Sequence, residues 1–229
     1  MESNYQLTET EISLLVSTGF SERRIRSGEL THVELEDLEI IRYTMQCMDR
    51  LYPDVSVRYV EMNVGARGGA GYSFVAYDES QGPEKTFTIF TETGGTPEKP
   101  VFTCSDTLFG QLLQPELESL VAGILAETGL NLNQVSASFP YQVDEHFDRA
   151  RTVARLLEDG ECPPCSVRVE IRTGSMDQAA FDEAVKKIEA LLRGRGLTGS
   201  VLVLGYAVDG DDPVPQSWNS VKFRAQILL

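Results

Sequence analysis

Residues 31–53 read THVELEDLEIIRYTMQCMDRLYP, and their pattern is that of a long amphipathic helix. Thr31 and Glu34 have the spacing of a capping box, which predicts where the helix starts. Apolar residues then recur at helical spacing, so one face should be buried. They are Leu38, Ile41, Met45, Met48, Leu51 and Tyr52. Carboxylates in the first turns suit the positive end of the helix dipole, and Pro53 is predicted to end the helix.

Four short segments after this helix have the composition of β-strands. They are rich in β-branched and aromatic residues and are separated by loops containing Gly or Pro, which predicts an antiparallel meander. They are residues 55–62, 72–77, 86–91 and 101–104. Pro115 is predicted in the first turn of the next helix, which ends at Gly129. Before the long helix, Thr8 and Glu11 form a second capping box and predict a short helix.

The last third of the chain predicts a second unit of order β-α-β-α-β-β. Its elements are expected at residues 135–141, 147–157, 165–171, a helix capped by Ser175, then 201–208 and 221–229. The predicted fold class is therefore α+β, with a helix packed on an antiparallel meander followed by a smaller α/β unit. We place an N-terminal helical arm at 1–30, the first unit at 31–143 and the second at 144–229.

The charge distribution favours the same division and excludes some partners. The 229 residues include 20 Lys and Arg against 35 Asp and Glu, a net charge of −15. Residues 1–143 carry 9 basic and 21 acidic side chains, net −12, and residues 144–229 carry 11 and 14, net −3. So acidic a surface is repelled by nucleic-acid phosphates and by anionic membranes. The expected partner is a basic protein surface.

The N-terminus and the cysteine content indicate the compartment. Residues 1–15 are polar and acidic and lack the pattern of a signal peptide. No stretch reaches the roughly 20 apolar residues of a membrane helix. Four cysteines are too few for a disulfide scaffold in a chain of this length. We expect a cytoplasmic protein, and the sequence leaves its oligomeric state open.

The order of elements in residues 31–128 resembles a cystatin-like module found in uncharacterised proteins of Gram-positive bacteria. The resemblance rests on Asp49-Arg50-Leu51-Tyr52-Pro53 at the end of the long helix. It also rests on Cys104-Ser105-Asp106, on the Leu108–Leu113 segment and on the Pro115 helix. It implies a curled sheet wrapped on one helix, and it implies no catalytic motif and no ligand. Members of that family usually carry a secretion signal, whereas residues 1–15 of this sequence lack the pattern of one.

Cys162-Pro163-Pro164-Cys165 is the sharpest local motif. A CxxC pair can act in redox chemistry or supply half of a zinc site. It precedes a predicted strand, so the helix N-terminus that activates a redox cysteine is missing. The other candidate zinc ligands, Cys47, Cys104, His32 and His146, are scattered along the chain. We favour a rigid turn with unreactive or disulfide-capable cysteines and expect no metal or cofactor; redox action and zinc remain the alternatives.

Two further features point to binding. The glycine-rich loop 65–71 joins two strands, unlike a phosphate-binding loop, which leads into a helix. It is predicted to be a hairpin connection, or alternatively a partner-binding loop with Arg67, Gly68 and Gly69 at its tip. Trp218, the only tryptophan, is predicted to pack in the core or, alternatively, to mark an interface.

Two acidic clusters have simpler explanations than catalysis. Residues 209–212 lack the spacing of a calcium loop and are predicted to form an exposed turn. Asp144, Glu145, His146 and Asp148 lie where a helix is predicted to start, and carboxylates are favoured there.

No complete catalytic constellation is present in the sequence, so we favour a non-enzymatic function. The preferred hypothesis is a protein-binding module such as an inhibitor, immunity factor or assembly factor. The alternatives are a thiol-dependent enzyme that uses Cys162 and Cys165, and a small-ligand binder in the concave face of the curled sheet.

Overall fold

A computed structural model describes residues 6–66, 71–96, 99–140, 142–208, 213–214 and 217–229, except for the side chains of Ala66 and Trp218. The helices are α1 (Glu9–Ser17), α2 (Glu22–Arg26), α3 (His32–Leu51), α4 (Leu108–Ala126), α5 (Val153–Glu158) and α6 (Gln178–Gly194). The strands are β1 (Val57–Ala66), β2 (Gly71–Asp78), β3 (Thr86–Thr96), β4 (Lys99–Asp106), β5 (Leu132–Ser138), β6 (Val143–Asp144), β7 (Cys165–Arg172), β8 (Gly199–Tyr206) and β9 (Val221–Leu228). The α+β fold class is confirmed.

The first sheet is antiparallel throughout and has the strand order β1-β2-β3-β4-β6. Helix α3 contacts β3 and β4. The hydroxyls of Thr44 in α3 and Thr91 in β3, both buried, lie 2.7 Å apart. The apolar stripe predicted for this helix supplies Leu38, Ile41 and Met48 to the interior. Helix α1 contacts α2, α3 and β1, so the predicted N-terminal arm packs on the same unit.

Both predicted capping boxes are confirmed. The Thr31 hydroxyl accepts from the Glu34 amide, and the Glu34 carboxylate accepts from the Thr31 amide at 2.6 Å. Thr8 and Glu11 form the same pair at the start of α1. Such boxes satisfy two amide groups that a helix N-terminus otherwise leaves without partners.

The second sheet is mixed and has the strand order β5-β7-β8-β9. Strands β7 and β8 are parallel and are joined through α6, while β5 and β9 pair antiparallel at the two edges. One hydrophobic cluster unites α4, α6 and the sheet. Its buried members include Leu117, Val121, Val167, Phe181, Ile188, Leu192, Val201 and Val203.

The chain divides into two compact units, Met1–Leu108 with Gln142–Arg149, and Phe109–Tyr141 with Ala150–Leu229. This division differs from the predicted boundary at residues 143 and 144. The apolar stripe of α4 joins the second cluster, and residues 142–149 return to the first unit, where β6 pairs with β4. In this division the first unit carries 21 acidic and 10 basic side chains, a net charge of −11.

Three local predictions were wrong. Helix α4 begins at Leu108, so Pro115 lies inside it rather than in its first turn; Leu108 and Phe109 are both buried by the earlier start. The helix expected at 147–157 is limited to α5, which Thr152 caps, because Arg149 is held in the first unit by Asp106. Asp177 rather than Ser175 caps α6, since its carboxylate accepts from the Ala180 amide at 2.8 Å.

Candidate functional site

An open groove of about 560 Å³ lies in the first unit between helix α3 and strand β4. Its lining residues are Leu35, Leu38, Glu39, Arg42, Tyr43, Gln46 and Phe102. All but one come from a single helix because they recur at the three- and four-residue spacing that places side chains on one face.

The apolar part of the groove is made by leucines and two aromatic rings. Leu38 is buried and Leu35 is half-buried. The Tyr43 and Phe102 rings pack with their centroids 5.1 Å apart and their planes tilted by 45°. The Tyr43 hydroxyl also lies 2.9 Å from the Phe102 carbonyl oxygen. These contacts hold both rings in place, so the apolar surface is preformed.

The charged groups of the groove leave it acidic. Arg42 is neutralised, since its Nε lies 2.6 Å from a carboxylate oxygen of Glu11. Burial acts to raise the pKa of Glu11, but hydrogen bonds from Arg42 and Thr8 outweigh it and hold the pKa below its ordinary value. Glu39 is exposed and has no ion-pair partner among the described residues. A cation that enters the groove therefore meets an uncompensated carboxylate.

Strand β4 leaves part of its backbone open beside this groove. In the described part of the sheet, its outer edge pairs with β6 at Ser105 and Asp106 only. Val101 is 56% exposed on the uncovered portion. Pro100 has no amide proton and so limits any further ladder of backbone hydrogen bonds. A segment that lies against β4 would be held mainly through its side chains.

A thiol cluster lies in the same unit, between α3 and β4. Cys47 in α3 and Cys104 in β4 are both buried, and their side chains interact. Thr44, one helical turn before Cys47, contacts Thr91, which lies opposite Cys104 in the register of β3 and β4. The Cys47 Sγ lies 3.5 Å from the Arg50 guanidinium and 3.8 Å from a Glu145 carboxylate oxygen. Arg50 and Glu145 form an ion pair, and the other Glu145 oxygen lies 3.1 Å from the Tyr43 hydroxyl.

This environment separates the two thiols chemically. The neighbouring thiol of Cys104 lowers the pKa of Cys47, and Arg50 adds to the effect, although burial and Glu145 oppose it. The interaction with Cys47, together with burial, raises the pKa of Cys104. Cys47 is therefore the thiol that ionises first.

The residues proposed from sequence are not brought together at this site. The structure does not describe Arg67, Gly68 and Gly69, or residues 209–212. It describes the backbone of Trp218, which begins a 3₁₀ turn (Trp218–Ser220), but not its side chain. Cys162 and Cys165 are unbridged in the second unit, beside β7. Burial raises the pKa of each thiol to about 11, the opposite of what activation requires.

The sequence signals for the groove and for the thiol cluster were incomplete. Tyr43, Cys47 and Arg50 recur at helical spacing and could have been placed on one face of α3. Glu145 was explained as part of a helix N-terminus, but no helix begins there. It belongs to the returning segment 142–149, and its approach to Cys47 depends on tertiary structure.

Comparisons with protein-family models, curated proteins and solved structures found no match to this chain. None of the helices in the described residues combines the length and the apolar character needed to cross a membrane. No group of three or more His, Cys, Asp or Glu side chains within the described ranges is arranged to hold a metal ion.

Proposed function

We propose that this chain is a non-enzymatic protein-binding module that holds a short basic and apolar segment of a partner protein in the groove between α3 and β4. The observation that carries the proposal is the pairing of a preformed apolar surface with the uncompensated carboxylate of Glu39. A large aliphatic or aromatic side chain of the partner packs on Leu35, Tyr43 and Phe102. A neighbouring Lys or Arg meets Glu39.

The net charge supports a basic partner. The first unit carries −11, which attracts a cationic segment over a distance set by the ionic strength. Because Arg42 is already paired with Glu11, the groove offers little repulsion to a second cation.

The size of the groove supports a segment rather than a broad domain surface. Its volume of about 560 Å³ lies within the range of roughly 300–1,000 Å³ typical of concave binding sites.

The test is selection of binders from a library of random peptides displayed against the full chain. We expect enrichment of sequences in which Lys or Arg adjoins a large apolar residue. Glu39→Lys should weaken the selected peptides about tenfold or more, a loss of about 1.4 kcal/mol. Glu84→Lys is the matched control, because it makes the same change of charge at an exposed position in the same unit.

Two results would overturn the proposal. One is equal weakening by both charge reversals, because binding would then follow net charge and not the groove. The other is enrichment of peptides that lack basic residues and are insensitive to Glu39→Lys.

A small ligand is the second candidate for the same groove. Arg42, Tyr43 and Gln46 offer polar groups beside the apolar surface, a combination typical of ligand pockets. A compound that raises the melting temperature of the chain, but not that of a Leu35→Lys variant, would favour this candidate over a peptide.

A further inference from the structure

The four cysteines form two pairs with opposite environments. All four are unbridged. Cys162 and Cys165 are close in sequence, and the hydrogen bonds of their thiols go to the backbone carbonyls of Pro163 and Thr198. Cys47 and Cys104 are far apart in sequence and meet only because α3 packs against β4.

We propose that Cys47 and Cys104 are a redox modification site, in which a hydroperoxide converts the two thiols to a reversible disulfide and Cys47 is the attacking sulfur. The site is a cluster of four groups: the Cys47 thiol, the neighbouring buried thiol of Cys104, a cation 3.5 Å from the Cys47 sulfur and a carboxylate 3.8 Å from it. The proposal does not depend on the occupant of the groove.

The chemistry balances with the peroxide as the sole oxidant. Cys47 transfers its proton towards Glu145, and its sulfur attacks one peroxide oxygen. The O–O bond breaks, and the leaving oxygen is protonated to water, which leaves a sulfenic acid on Cys47. The Cys104 sulfur then attacks the Cys47 sulfur, an S–S bond forms, the S–O bond breaks and a second water leaves. Two thiols and one hydrogen peroxide thus yield one disulfide and two water molecules.

Arg50 positions the Cys47 thiol and stabilises the negative charge of its thiolate. Its guanidinium contacts both the Cys47 sulfur and the Glu145 carboxylate, and its side chain is 63% exposed. A cation beside a thiol favours the thiolate, which is the form that attacks. Cys47 is buried, and Arg50 and Glu145 both contact its sulfur, so we expect a small oxidant to reach it when this ion pair opens.

The test is oxidation of the full chain with hydrogen peroxide, followed by alkylation of the remaining thiols, proteolysis and mass spectrometry. We expect a cross-linked peptide pair that contains Cys47 and Cys104, while Cys162 and Cys165 are still alkylated. In the Cys104→Ser variant, a 1,3-diketone reagent should trap a sulfenic acid on Cys47.

Variants separate this site from general oxidation. Arg50→Met should slow formation of the cross-link about tenfold at neutral pH, because loss of the cation beside Cys47 disfavours the thiolate that attacks the peroxide. Arg58→Met is the control, since Arg58 is a similarly exposed arginine that pairs with Glu79 and does not contact a thiol. A Cys162→Ser/Cys165→Ser double variant should oxidise at the rate of the original chain.

Three outcomes would overturn the proposal. The first is a disulfide between Cys162 and Cys165 that forms faster than the Cys47–Cys104 link. The second is recovery of Cys47 and Cys104 as thiols at peroxide concentrations that oxidise a simple model thiol. The third is an equal rate for the Arg50→Met and Arg58→Met variants.

Discussion

Arg149→Met removes the cation that neutralises a carboxylate in the interior of the first unit. The Arg149 Nη2 lies 2.7 Å from Asp106 Oδ2, and the exposed fractions of the two side chains are 8% and 0%. Tyr52 completes the cluster: its hydroxyl donates to Asp106 at 2.6 Å and accepts from Arg149 Nε at 2.8 Å. Methionine keeps an apolar chain of similar length but leaves the carboxylate without its cation.

The expected cost follows from this burial. Breaking a buried ion pair by removing one partner typically costs about 3–5 kcal/mol in the free energy of unfolding. With a urea m-value of about 2 kcal/mol/M, the unfolding midpoint of the first unit should fall by about 2 M. The loss is large because the Asp106 side chain is fully buried and its negative charge is left without the Arg149 cation.

The assay is urea unfolding with hydrogen exchange measured on peptides from α3 and β4, which reports the first unit alone. Arg58→Met is the control, because the Arg58–Glu79 pair is exposed (57% and 50%) and should contribute at most about 1 kcal/mol. An Asp106→Leu/Arg149→Met double variant removes both charges and should recover much of the loss. The reasoning is refuted if Arg149→Met costs no more than the Arg58→Met control.

Three further predictions concern single side chains. Tyr59→Phe should leave the free energy of unfolding unchanged or raise it by up to about 1 kcal/mol, because the buried Tyr59 hydroxyl has no hydrogen-bond partner among the described residues. Thermal unfolding measures this change, and a clear loss of stability would contradict the reasoning. Burial raises the pKa of Asp37, so the folded state favours the neutral carboxyl. Its stabilising contribution is present below the ordinary pKa of 3.8 and is lost as the pH rises through the folded-state pKa. Asp37→Asn should therefore stabilise the chain at pH 7 and give no gain at pH 3 in urea titrations, and an equal gain at both would exclude this cause. Gly199→Ala should cost at least about 2 kcal/mol, since φ is +118° and a Cβ would overlap the Cys165 carbonyl. Gly196→Ala, at a φ of +79° where a Cβ would meet only Leu157 Cδ2 at 3.9 Å, should cost only about 1 kcal/mol in the same melting assay.

Local elements could be predicted from the sequence where the interaction spans one turn of chain. The Thr31–Glu34 capping box and the apolar stripe of α3 depend on residues three and four apart, and both are present. The four strands of the meander lie close to the predicted segments, and Gly82 and Pro83 mark the turn between β2 and β3. Gly94, Gly95 and Pro100, in contrast, are paired within β3 and β4. The candidate groove could be predicted only in part: the α3 spacing aligns Tyr43 with Cys47, but nothing local places Phe102 opposite them.

The division into units and the thiol cluster depended on long-range packing. Periodicity shows which face of α4 is buried, but not that this face packs with Val167 and Phe181 of the second unit. Likewise, carboxylates such as those around Glu145 occur both at helix N-termini and in loops. Their pattern therefore does not show that residues 142–149 belong to the first unit.

The sequence by itself thus determined the α+β class, most of the helices and strands, and the acidic character of the chain. The tertiary structure alone decided that Cys47 meets Cys104 and Arg50 meets Glu145, and that Arg149 neutralises Asp106. The physical reason is that hydrogen-bonded turns and side-chain periodicity are properties of neighbouring residues, whereas these contacts join segments far apart in the chain and exist only once both sides are packed.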